Sequence, residues 1–481
     1  MMEESNPMIP HSNIPAFQHS NPLSIHFIGI GGCGMNGVAQ LAAHAGYSVS
    51  GSDRSTDSNI FQYLEKIGIK IFPQDGSGIS EATDAVIYST AIESDNPDIQ
   101  KSKSLGIPLL HRAEMLAKLC EGKEVIAVAG TAGKSTVTGL LGHIFQTLEL
   151  DPTVYCGAPI LRRSGISAAG QRLEAASTLG NIQFGSGPWI IEADESDKSF
   201  LHFHPTHAII TNIAEDHFEL SELRKLFSQF ESQVSEIVIK PDPPRPSATP
   251  PERGFIPSAD SPPLEGWPTV SAVAFGEGWK AGVGSPLIGK HNTENINNAL
   301  TLCKALGLDM KRCIEAVHTF KGVERRLERI GPNVIDDFAH SPIKIAAALE
   351  AVSGEFETFN VVWRPHGYTP LFQGLEAFVE CFSSFSRAHP TCRVFILPVY
   401  YAGGTVEKKI TSEQFVEKLQ AAGVPAEFVE NFQCLEKQLL ESGRPVLIMG
   451  ARDPELPRFA RELSTKLDHF YPPATVDLPE A

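Results

Sequence analysis

The chain has 481 residues, 42% hydrophobic and 20% charged. That profile excludes a collagen, a coiled coil and wholesale disorder, and the length suggests roughly three domains. Forty lysines and arginines against 57 aspartates and glutamates leave a net charge of −17, which argues against broad nucleic-acid binding because such a surface repels phosphate backbones.

Residues 1–23 are polar and proline-bearing, without an apolar core, and read as a disordered lead-in rather than a signal peptide. The first block, 24–121, opens with the strand Ile25-His-Phe-Ile-Gly-Ile. A glycine-rich turn follows, then a helix through Ala45, a strand at Tyr47–Ser50, and further strands at Ala85–Ser89 and Ile107–Leu110. Strands alternating with helices predict a parallel, doubly wound sheet. The turn carries Gly29-Ile-Gly31-Gly32-Cys-Gly34, a GxGxxG pattern, with Asp53 at the end of the next strand. Glycines let backbone N–H groups approach a diphosphate, and the acid would take ribose hydroxyls. NAD binding is the default for this pattern. A UDP-sugar presents the same diphosphate and sugar, and a tight βα turn with no ligand satisfies the pattern too.

The second block, 122–321, begins with the strand Glu124–Ala129 and a helix from Ser135 to Thr147. Between them lies Gly130-Thr131-Ala132-Gly133-Lys134-Ser135-Thr136. Its backbone N–H groups would cradle phosphates, Lys134 would bridge the β- and γ-phosphates of ATP, and Ser135 would hold Mg2+. The full pattern wants Gly at 128, where this chain has Val128. Two more apolar strands, Trp189–Ala193 and Ala208–Asn212, end in Glu192-Ala-Asp194-Glu-Ser-Asp197 and in Glu215-Asp216-His217. Acids at the carboxyl end of a parallel strand fall at the ligand edge, so Glu192 is a second Mg2+ candidate. His204 and His207 read as structural. Residues 241–268 hold ten prolines and read as a flexible excursion. Gly289 to Lys321 reads as helical. His291, Asn292 and Asn295 at its start suit reading an adenine edge, although helix caps look the same.

The third block, 322–481, places strands at Asn333–Asp336, Phe359–Trp363, Arg393–Leu397 and Pro445–Met449. Arg326 would cover developing phosphate charge, and Asp337 would hold ribose. The eight cysteines are scattered without a CxxC and read as free thiols. No apolar run reaches bilayer length, so neither secretion nor membrane insertion is expected and the location reads as cytoplasmic.

Together these residues resemble the Mur ligase family over nearly the whole chain. The resemblance rests on His26–Met35, Ser50-Gly-Ser-Asp53, Ser89-Thr-Ala-Ile with Asp95-Asn-Pro97, Arg112-Ala-Glu-Met-Leu116 and Glu192–Leu201. It implies three α/β domains: a Rossmann-like UDP-binding domain, a central P-loop-type ATP-binding domain and a Rossmann-like C-terminal domain. It also implies an ATP- and Mg2+-dependent amide ligase of peptidoglycan synthesis. Such an enzyme joins L-alanine to UDP-N-acetylmuramate through an acyl phosphate, with small-molecule partners only and a monomeric or weakly dimeric state. The UDP-sugar would meet Gly29, Gly31, Gly32, Gly34, Met35, Asp53 and Ser89. Lys134, Glu192, His217 and Arg326 would carry catalysis, with His217 helping to hold a second Mg2+. Phe338, His340 and His366 would face the acceptor, and the domains would close about a hinge near Gly322–Arg326.

Ala132 stands where the family usually has His, and Ser135 where it has Thr. Gly367 and Pro370 stand where arginines are usual. Asp337-Phe-Ala-His340-Ser-Pro and Arg325-Arg-Leu-Glu328 resemble the recycling branch of the family, which takes an intact tripeptide. That acceptor, and a non-catalytic nucleotide-binding homologue, are the alternatives.

Overall fold

The computed structural model describes residues 22–54, 59–161, 179–214, 219–240, 285–401 and 408–470. The lead-in up to residue 21 and the proline-rich stretch 241–268 lie outside them. The chain divides into two compact units, Met1–Glu121 and Gly122–Ala481. The first carries one sheet and the second carries two.

Unit 1 runs β1 (Ser24–Ile28), α1 (Cys33–His44), β2 (Ser48–Asp53), α2 (Asn59–Lys66), β3 (Lys70–Pro73), β4 (Ala85–Tyr88), α3 (Pro97–Leu105), β5 (Leu109–His111) and α4 (Arg112–Cys120). Its strands are all parallel, in the order β3-β2-β1-β4-β5. The chain leaves β1 in one direction and returns to β4 in the other. A ligand crevice therefore opens beyond the carboxyl ends of β1 and β4, where residues 29–32 and Ser89 lie. The helix starts at Cys33, so the glycine turn is only four residues long, and Gly34 and Met35 already belong to the first turn of α1.

A polar cluster is buried between β1, β2 and the start of α3. His26 and Asp98 are both fully buried, with His26 Nε2 3.9 Å from Asp98 Oδ2. Ser50 Oγ meets His26 Nδ1 at 2.9 Å. Ser52 Oγ and Gly76 N–H donate to the two Asp98 oxygens. Burial pushes the Asp98 carboxyl up and pulls the His26 imidazole from 6.5 down to about 4. The unfolded chain therefore binds a proton at His26 between pH 6.5 and 4 that the folded chain refuses, so stability falls as pH falls through this window. The expected loss from His26 is about 3 kcal/mol, opposed in part by Asp98, whose raised carboxyl takes up a proton more readily in the folded chain. Urea midpoints at pH 6.5 and 4 should show it in the wild type, and His26→Gln should flatten the slope.

In unit 2 the first sheet is built from β6 (Val125–Ala129), α5 (Lys134–Thr147), β7 (Thr153–Tyr155), β8 (Ile182–Gln183), β9 (Trp189–Glu192), β10 (His207–Ile210), α6 (Leu220–Ser232), β11 (Ile237–Ile239), α7 (Lys290–Ala305) and α8 (Met310–Thr319). The order is β11-β10-β6-β9-β7-β8, parallel except for β8. Its central strands are apolar on both faces because helices cover both. The stretch Gly289–Lys321, expected to be helical, is two helices, α7 and α8. Gly307 turns at φ +71°, and Asp309 caps α8 by accepting from Lys311 and Arg312 N–H.

The second sheet of unit 2 follows: β12 (Glu328–Arg329), β13 (Val334–Asp337), α9 (Pro342–Ser353), β14 (Asn360–Arg364), α10 (Tyr368–Gln373), α11 (Leu375–Ala388), β15 (Arg393–Ile396), α12 (Ser412–Ala421), β16 (Ala426–Phe428), α13 (Phe432–Ser442), β17 (Val446–Gly450) and α14 (Glu455–Phe470). The order is β12-β13-β17-β14-β15-β16, parallel except for β12. Helices α9, α11 and α12 cover one face around Trp363 and Phe382. Helices α13 and α14 cover the other around Phe395 and Leu463. No helix among the described residues is long and apolar enough to cross a membrane.

Candidate active site

The unit 1 turn is held from below. Gly29 and Ile30 N–H both donate to the Ser52 carbonyl, at 2.8 and 3.0 Å. Gly31 N–H donates to Asp53 Oδ2 at 2.8 Å, and Arg54 N–H to Asp53 Oδ1. A Cβ at Gly31 would sit 2.9 Å from that same carboxylate oxygen, so glycine is required by close approach. Asp53, expected at ribose hydroxyls, thus already has a backbone partner on each oxygen and first of all shapes the turn. Met35 is buried in the core.

In unit 2 the loop after β6 is welded to the end of β10. Thr131 N–H donates to the Asn212 carbonyl and Ala132 N–H to Asn212 Oδ1, at 3.1 and 3.0 Å. Asn212 Nδ2 returns a bond to the Ala132 carbonyl, and Thr131 Oγ1 bonds Ala214. At Gly133 the backbone sits at φ +85°, and an added Cβ would lie 2.4 Å from Asn295 Oδ1. Asn295 donates to Asn292, which donates to the Ile288 carbonyl. The two asparagines expected to read a base therefore also seat α7 against the loop.

Lys134 Nζ donates to the Gly130 carbonyl at 2.9 Å and to Glu195 Oε2 at 2.6 Å, with Asp194 Oδ1 at 3.6 Å. Burial alone would pull the lysine down, but Glu195, Asp194 and Glu192 together outweigh it and hold the ammonium raised. Burial likewise raises Glu195, against the pull of Lys134. Ser135 Oγ donates to Glu192 Oε1 at 3.1 Å, and Gly157 N–H to Glu192 Oε2 at 2.7 Å. A hydroxyl beside a carboxylate is a hard oxygen pair of the kind Mg2+ takes with phosphate oxygens and water.

The junction to the second sheet turns on Arg325 (φ +56°) and Leu327 (φ +49°), both left-handed. Arg325 points into the sheet. Its Nε and Nη2 bond the two oxygens of buried Asp336 at 3.0 and 3.3 Å, and Nη2 also bonds the Gly450 carbonyl. Arg326, one residue on, stacks over Phe338 at 4.9 Å. Asp337 accepts Leu327 and Ala339 N–H, each at 2.7 Å. Burial raises its carboxyl, with Arg326 pulling the other way. Burial lowers His291, opposed by Asp337.

One cavity of about 340 Å³ is lined by residues of unit 2 alone. Thr131 to Thr136, Glu192, His291, Asn292, Asn295, Arg326, Asp337, Phe338 and His340 all reach it. Gly130 and His366 do not line it. His366 lies behind His340, ring to ring at 6.5 Å. Asp194 and Glu195, part of the acidic run expected at the ligand edge, also line it, as do Asn212 and Lys344, to which sequence reasoning gave no role. His217 lies outside the described residues.

A profile described as "Mur ligase family, catalytic domain" matches residues 24–124, and one described as "Mur ligase middle domain" matches 128–229. A UDP-N-acetylmuramate--L-alanine ligase of Polaromonas sp. is 32% identical over 466 residues, covering 89% of this chain and 95% of the relative. One from Nitrosospira multiformis is 33% identical, covering 89% and 91%. Among solved structures, the UDP-N-acetylmuramate-alanine ligase of Thermotoga maritima shares the fold, with a TM-score of 0.67, 24% identity, and coverage of 93% of this chain and all of that one. A murein peptide ligase of Psychrobacter arcticus has a TM-score of 0.57 at 20% identity, covering 92% and 98%. With a sheet for each of the family's three domains and relatives matched along nearly their full length, the chain belongs to the Mur ligase family of ATP-dependent, C–N bond-forming ligases.

Proposed function

We propose that the protein joins L-alanine to UDP-N-acetylmuramate, with hydrolysis of ATP to ADP and phosphate. One observation supports this most: the Lys134 loop, the acid at the end of β9 and Arg326 at the junction to the second sheet line the same cavity. In this reading residues 24–121 hold the UDP-sugar, 122–321 hold ATP, and 322–481 hold the acceptor. The substrate carboxylate attacks the γ-phosphorus and ADP leaves. The acceptor amine then attacks the acyl phosphate, and phosphate leaves as the amide forms. The obstacle is crowded negative charge, so neutralisation and positioning do most of the catalysis. Lys134 would neutralise the β- and γ-phosphates, and Arg326 the transferring group. Ser135 and Glu192 would hold Mg2+, which when bound supplies further charge neutralisation at the phosphates. Asp337 would meet the ribose and Phe338 and His340 the acceptor.

A second reading, with a tripeptide as acceptor, is favoured by Gly367 and Pro370, since neither can fork onto a small amino acid's carboxylate as arginine does. Phosphate release with ATP and UDP-N-acetylmuramate, compared across alanine, glycine, serine and tripeptide, tests both. The first reading expects alanine to give the highest rate. A tripeptide-only response would replace it with the second, and no response to any acceptor would remove both.

A further inference from the structure

In the second sheet of unit 2, β17 lies between β13 and β14. The helix after β13 covers one face and the helix after β17 covers the other. Their divergence opens a crevice at the carboxyl edge of these three strands. Three arginines of this region are already committed. Arg325 is bound to Asp336 and the Gly450 carbonyl. Arg364 donates to Asp453 at 2.6 Å and to the Pro398 carbonyl, and stacks on Tyr400 and Phe432. Arg326 faces the nucleotide-side cavity.

Arg452 differs from all three. It is exposed, and no described residue gives it a hydrogen bond, ion pair or aromatic face. The adjacent acid cannot quench it, because Asp453 is taken by Arg364 and by Glu455 N–H. Strand register places it. Arg364 and Gly450, the last residues of β14 and β17, pair with each other, so the segments that carry His366 and Arg452 leave the sheet at the same edge, each two residues on. The Arg452 charge reaches His366, whose imidazole is lowered first by burial and then by that charge. His366 in turn contacts His340, which lines the cavity. Arg452 also holds a left-handed backbone, φ +59°, that a glycine would adopt without strain.

We infer that Arg452, beside His366, receives the carboxylate of the acceptor substrate at the edge of this crevice. This rests on the ligase reading above. It supplies a guanidinium to a site where positions 367 and 370 carry none. The fork of an arginine can take both oxygens of a carboxylate, and a chain of net charge −17 needs such a local cation to hold an anionic acceptor.

The test uses the full chain, with alanine or the tripeptide, whichever the wild type turns over, against the same acceptor as its carboxyl amide. Arg452→Gly should raise the acceptor KM by about 10- to 150-fold and leave the KM values of ATP and UDP-N-acetylmuramate unchanged. It should also abolish the preference for the free carboxylate over the amide. Arg452→Lys should restore part of that preference. The thermal midpoint of Arg452→Gly should not drop, because glycine suits the backbone there. An unchanged acceptor KM, or equal losses on carboxylate and amide, would overturn the assignment while leaving the ligase reading intact. A wild type that turns over no acceptor would overturn both.

Discussion

Lys134→Met should lower turnover by about 10³-fold or more, because it removes the buried cation of the cavity that we propose neutralises the phosphates. Phosphate release under saturating substrates measures this. The same change should leave a signature on stability. Glu195 is 2% exposed, and in the wild type its charge is matched by Lys134 at 2.6 Å. Without the lysine, Glu195, Asp194 and Glu192 face one another, and the Glu195 carboxyl, already raised by burial, moves higher. The folded variant then holds a proton that the unfolded chain releases, so its stability should fall as pH rises above the ordinary carboxylate range. The expected loss at neutral pH is up to about 3 kcal/mol, read from urea midpoints. Adding Glu195→Gln should restore the midpoint and not the turnover. Recovery of both would mean that Lys134 serves folding alone.

Arg325 and Arg326 should respond in opposite ways. Arg325→Met strands a fully buried Asp336 and leaves the Gly450 carbonyl without its donor. Removing one partner of such a pair destabilises by about 3–5 kcal/mol. The effect should appear as a lower denaturant midpoint for unit 2. Arg326→Met removes a cation that lines the cavity and whose donated bond goes to the Arg325 carbonyl. It should shift the midpoint by about 0.5 kcal/mol or less and reduce turnover by about 10²- to 10³-fold. Equal stability losses in both variants would contradict the separation of roles. The left-handed residues on either side of Arg326 explain the separation, because they turn neighbouring side chains to opposite sides of one short segment.

The parts of the site that sequence reasoning reached are those whose function is local. A strand, a glycine turn and a helix start are contiguous, so the 29–34 and 130–136 loops could be read from order alone. The long strands were apolar enough to stand out. The short ones, β3, β7, β8, β11, β12 and β16, were not, since two to four residues pair only because a neighbour is already there. The break at Gly307–Asp309 was hidden because apolar spacing continues on both sides of it. Partner choice was the least accessible level. Nothing in the order of residues says that Asp53 and Asp337 each accept backbone N–H groups on both oxygens. Nor does it say which acid after β9 meets Lys134. Those outcomes depend on which strand ends the sheet brings together, and on the need of buried backbone donors for acceptors.

The bonds from Thr131 and Ala132 to residues 211–214 have a thermodynamic side. Fixing a loop backbone costs about 1–2 kcal/mol per residue. Here that ordering is completed when the β10 end docks against the loop, before any nucleotide arrives. Nucleotide binding should therefore show little conformational-entropy penalty from this loop. The on-rate should be limited by encounter rather than by loop rearrangement. The vulnerability moves with it: damage at Asn212, which bonds the loop through both ends of its amide, should register as weakened nucleotide affinity well before it registers as unfolding.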